Sequence, residues 1–71
     1  MKVFTLVFQD INGAGFPNEF FNERFDVILT RFYRGQIREF KTPAISENEA
    51  KDKILKSFPI LEKHKFVCLI D

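Results

Sequence analysis

The sequence predicts a two-layer α+β sandwich, a β-α-β-β-α-β chain forming a single domain over residues 1–71. Three observations carry that expectation. Apolar residues alternate near both ends, in Lys2 to Gln9 and in Lys65 to Ile70, as strands do. Ser46-Glu47-Asn48-Glu49 is a capping box at the head of an amphipathic stretch that Pro59 stops. Between them, Arg34-Gly35 separates two segments rich in β-branched and aromatic residues.

In the first strand Val3, Thr5 and Val7 face one way and Phe4, Leu6 and Phe8 the other. Both faces are largely apolar, which places the strand inside a sheet. Asp10-Ile11-Asn12-Gly13-Ala14-Gly15 then breaks the alternation, so the chain turns there. Pro17, Asn18 and Glu19 suit a helix start, and a short helix is expected from Pro17 to Phe25, followed by a strand from Asp26 to Tyr33. The same residues admit one long helix from Asn18 to Arg34, because Phe21, Phe25, Ile28 and Phe32 recur at helical spacing with Gly35 as a stop. Val27, Ile28, Thr30, Phe32 and Tyr33 favour the strand.

Gln36 to Thr42 is the partner strand, ended by Pro43. After the capping box, Ala50, Ile54 and Phe58 form a buried stripe flanked by Leu55, while Lys51, Asp52 and Lys56 face water. Ile60 to His64 is a connector. In the closing strand Phe66, Cys68 and Ile70 share one face. A four-stranded antiparallel sheet with both helices on one side accommodates this order, the ferredoxin-like arrangement. The long-helix alternative gives β-α-β-α-β with a three-stranded sheet.

Composition narrows the functional classes. Hydrophobic residues make up 45% and charged residues 30% of the 71, the balance of a folded chain rather than a disordered one. Eleven Lys and Arg against ten Asp and Glu leave a net charge of +1, so no global field points to nucleic acid or an anionic membrane. Cys68 is the single cysteine, which excludes an internal disulfide and makes a reducing, cytoplasmic setting the expectation. The apolar runs are far too short for a membrane-spanning helix, and the N-terminus reads as a strand rather than a signal peptide.

The segment from Arg31 to Phe40 concentrates basic and aromatic residues. Arg31, Arg34 and Arg38 surround Tyr33 and the turn. Guanidinium forks bind carboxylates or phosphates, and Tyr beside Arg is typical of binding hot spots. The expected function is therefore a protein-binding module that acts sterically on a partner with an acidic patch, through Arg31, Tyr33, Arg34 and Arg38.

The remaining motifs point to structure. Asn12-Gly13-Ala14-Gly15 lacks the residues of a dinucleotide or P-loop fingerprint and reads as a turn, with Asp10 as a turn or cap residue. His64 and Cys68 are four residues apart, about 13 Å along a strand, too far for a Cys-His nucleophilic pair. Cys68 beside Phe66 and Ile70 reads as a packed core thiol. Two such ligands are too few for zinc, so no catalytic, cofactor or metal site is expected.

Two resemblances bear on function. Val3-Phe4-Thr5-Leu6, with Arg34-Gly35 leading to Phe40, resembles an RNA-recognition-motif domain, although Gln36 and Ile37 stand where that family carries aromatics. The resemblance implies single-stranded RNA or DNA binding on the sheet face, with Phe4 and Phe40 at stacking positions, and in that alternative Tyr33 is a third platform. The lysine-rich Ala50 to Phe58 followed by Val67-Cys68-Leu69-Ile70-Asp71 is similar to the end of small antitoxins of T4-type phages. That similarity implies a phage or mobile-element inhibitor of a host RNase toxin. Pairing with a second copy is also open, since a chain this small gains by burying strand surface in a homodimer.

Overall fold

The computed structural model describes residues 1–19, 21–34 and 36–70, with the side chains of residues 30–34 outside that description. The chain runs β1 (Lys2–Gln9), β2 (Phe21–Asn22), β3 (Val27–Arg34), β4 (Ile37–Ala44), α1 (Glu47–Ser57), a 3₁₀ turn (Pro59–Lys63) and β5 (Lys65–Ile70). The five strands form one antiparallel sheet in the order β2-β3-β4-β1-β5. The α+β class is thus observed, and the strand expected over residues 26–33 forms as β3, Val27–Arg34. The ferredoxin-like element order is not matched, because the described residues hold one α-helix where two were expected.

The missing helix is the one expected over Pro17 to Phe25. Phe21–Asn22 pairs instead with β3, Phe21 opposite Ile28 and Asn22 opposite Val27. The physical reason lies in local polar bonds and in the neighbouring strand. The Asn22 side-chain oxygen accepts the Arg24 backbone N–H at 3.1 Å, a bond that bends the chain into a turn and competes with helix formation. Asp26 closes that turn at φ 57, a left-handed conformation that Asp tolerates. Its carbonyl accepts the Thr42 hydroxyl at 3.0 Å, tying the turn to β4. The helical spacing of the phenylalanines lost to the pairing of β3 along β4.

α1 forms as its residues dictate. The Glu49 N–H donates to Ser46 Oγ at 3.2 Å, and Glu49 reaches back to accept the Ile45 N–H at 3.1 Å. Ala50 and Ile54 are fully buried, and Phe58 follows at the C-cap. Pro59 ends α1 and opens the 3₁₀ turn, where a missing N–H is tolerated. On the outer side, Lys56 and Asp52 pair at 3.0 Å with both side chains largely in water.

α1 lies on one face of the sheet, and the core is the layer between them. Phe4, Leu6 and Phe8 of β1, Val27 and Leu29 of β3, and Phe40 and Ala44 of β4 meet Ala50, Ile54, Phe58 and Leu61 there. Phe8 and Phe40 pack edge to face, their ring centroids 5.6 Å apart. Where the first helix was expected, the loop after β1 closes the layer, with Phe16 lying 6.2 Å from Phe40.

A bulge in β5 corrects one further expectation. Val7 pairs with Cys68 and Phe8 with Phe66, so Val67 is an extra residue. Phe66 and Leu69 therefore share the core side, while Cys68 and Ile70 turn to the opposite face. Cys68 is exposed and is not a packed core thiol.

Candidate functional site

Among the described residues no helix covers the second face of the sheet. One row of cross-strand neighbours runs across all five strands: Phe21, Ile28, Lys41, Thr5 and Ile70. Phe21 is 48% exposed, Ile28 46% and Ile70 40%, values high for large apolar side chains. Val3 on β1 and Val67 on β5 are also exposed. Val7 shares this face but is buried, flanked by its partners Glu39 and Cys68. Apolar side chains are thus interleaved with Lys41, Glu39 and Gln9, a mixture that covers neither a core nor a uniformly solvated surface.

The residues expected to bind a partner fall in two groups. Arg31, Tyr33 and Arg34 lie on β3, and their side chains are outside the described residues. Arg34 pairs with Ile37 at the hairpin end. Arg38 is described and is buried, its Nη1 donating to the Pro17 carbonyl at 2.8 Å. Arg38 has the parity of Phe40 and Thr42, which face the core, and its guanidinium ties β4 to the loop after β1. The same parity rule governs the stacking platforms: Phe4 and Phe40 are core residues beneath α1. A sheet-face reader of single-stranded RNA or DNA would have neither ring available.

The loop after β1 is organised around Asp10. Its Oδ1 accepts the N–H groups of Asn12 at 3.2 Å and Ala14 at 3.0 Å, and its Oδ2 accepts that of Gly15 at 2.7 Å. Gly13 and Gly15 have φ of 69 and 83, which permits this tight reversal. The amides that might have cradled a phosphate are filled by the chain's own carboxylate, so the segment is a turn. The Gly15 N–H is the main reason the Asp10 carboxyl is held below its ordinary value; burial opposes the shift, while the Ala14 and Asn12 N–H groups and the charge of His64 add to it.

His64, expected in a connector, is buried against this loop. Its Nε2 lies 2.7 Å from the Gly15 carbonyl oxygen and 3.9 Å from Asp10 Oδ1. Nδ1 lies 3.0 Å from the Ile60 carbonyl oxygen, and Phe16 packs on the ring at 4.8 Å. The Asn12 side-chain amide also donates to the Lys63 carbonyl at 2.9 Å. Two positions 54 residues apart thus form one latch, which sequence spacing gave no means to find. Among the described residues no group of three His, Cys, Asp or Glu side chains is placed to hold a metal ion. No helix there is long and apolar enough to cross a membrane. No protein-family model, curated protein or solved structure matches this chain.

Proposed function

We propose that the chain is a small protein-binding module whose working surface is the helix-free face of the sheet together with the β3–β4 hairpin. The observation that supports this reading is the row Phe21, Ile28, Lys41, Thr5 and Ile70, with three of its five members large, apolar and exposed. Exposed apolar side chains interleaved with polar ones are the mixture that protein interfaces carry. Lys41 within the row, with Arg31 and Arg34 on β3, suits a partner that carries carboxylates around an apolar centre. Binding over so broad a face acts by occlusion, the action of a regulator or inhibitor. An antitoxin-like phage regulator, the class that Ala50 to Phe58 and Val67 to Asp71 resemble, would act in this way in a reducing, cytoplasmic setting.

The test is capture from host extract by tagged wild type and by Ile28→Ser. The proposal expects a protein retained by the wild type and lost with the variant, at an unchanged thermal midpoint. Retention of oligonucleotides that weakens steeply with salt would instead assign the surface to nucleic acid. Retention of the untagged chain alone would assign it to a homodimer.

A further inference from the structure

His64 is the chain's only histidine, and its side chain is fully buried. Both ring nitrogens lie at hydrogen-bond distance from backbone carbonyl oxygens, Nδ1 from Ile60 and Nε2 from Gly15. A carbonyl oxygen only accepts, and a neutral imidazole carries a single N–H. In either neutral tautomer, one ring lone pair would therefore face a carbonyl oxygen inside the protein. Such a contact leaves a buried acceptor unsatisfied and sets two lone pairs against each other.

We propose that His64 is held as the doubly protonated imidazolium, a proton-bearing clasp between the loop after β1 and the 3₁₀ turn. Nε2–H donates to the loop at Gly15 and Nδ1–H donates to the turn at Ile60. The carboxylate of Asp10, 3.9 Å from Nε2, supplies the opposing charge. That carboxylate is itself kept ionised by three backbone N–H groups. Burial works against a charged ring, and two aligned acceptors with a nearby anion are the arrangement that offsets it.

The other charged groups around the ring do not replace Asp10. Glu62 and Lys63 on the 3₁₀ turn and Lys65 on β5 are exposed. Arg38, on β4, directs its Nη1 to Pro17 of the same loop. Loss of either ring proton would remove one of the two carbonyl bonds that tie the segment carrying Phe16 to the 3₁₀ turn.

With one histidine, the assignment of its ring signals is unambiguous. The experiment compares ¹⁵N-labelled folded chain with the same chain in urea, at a pH where the urea sample shows a neutral ring. The expected result is two ring N–H protons in the folded chain. As pH is raised, the amide signals of Gly15 and Ala14 should move with the midpoint at which His64 loses one proton. A single ring N–H in the folded chain at the starting pH overturns the proposal, as do amide signals that stay fixed through the His64 transition. In Asp10→Asn the second proton should leave at lower pH than in wild type; an unchanged midpoint removes Asp10 from the clasp.

Discussion

The two faces of this sheet carry the same large apolar residue types and meet opposite surroundings. On the helix side, Phe4, Leu6, Phe8 and Phe40 are at most 9% exposed and interlock with Ile54 and Phe58. On the other side, Phe21, Ile28 and Ile70 are at least 40% exposed. A large apolar side chain contributes about 1.5–3 kcal/mol when it leaves water. The helix side has realised that gain within the chain, and on the open side much of it is unspent. The difference teaches that hydrophobicity alone does not mark the core; strand parity and the position of α1 decide which residues enter it.

Substitutions on each face should break along this line. Phe40→Ala should be the most damaging, costing about 3–5 kcal/mol in urea unfolding because it opens a cavity under α1. A loss under about 1 kcal/mol would mean that the covered face is not the core. Arg38→Ala leaves the Pro17 carbonyl without this donor and should cost about 1–3 kcal/mol, with faster amide exchange in the loop after β1. Ser46→Ala loosens the cover rather than the sheet, and should cost about 1 kcal/mol through the lost N-cap. Ile28→Ser and Ile70→Ser should stay within about 0.5 kcal/mol of wild type, since both side chains already meet water. If either one unfolds the chain, the open face is structural.

Acid adds a test that needs no core substitution. The folded Asp10 carboxyl lies below its unfolded value, so its support is present above that unfolded value and is lost as pH falls through the folded one. Asp10→Asn should therefore lose part of the acid-side pH dependence of the unfolding midpoint.

Much of this arrangement was legible in the residues. β1, α1 and the β3–β4 hairpin follow from alternation, a capping box and Arg34-Gly35. Arg38 clusters with Arg31 and Arg34 in sequence, and only its parity with Phe40 sets it on the covered side. Other features depended on what no local pattern records. Phe21, Phe25, Ile28 and Phe32 have helical spacing, yet pairing of β3 with β4 overrides it. The bulge at Val67 reverses the faces of Phe66 and Cys68 without any glycine to announce it. β3 shifts register between Leu29 and Phe32 and again between Phe32 and Arg34, which no local pattern announces. The Asp10–His64 latch joins distant positions through tertiary geometry alone.

The open face can be tested through its own thiol. Cys68 is the only cysteine, is exposed, and shares that face with Ile70. Its alkylation rate is to be measured with and without the protein captured by the wild type, with acetylation of Lys56 on the far side of α1 as the control. Binding on the open face predicts that the captured protein slows Cys68 alkylation and leaves Lys56 unchanged. Protection of Lys56 with Cys68 still fully reactive would contradict it.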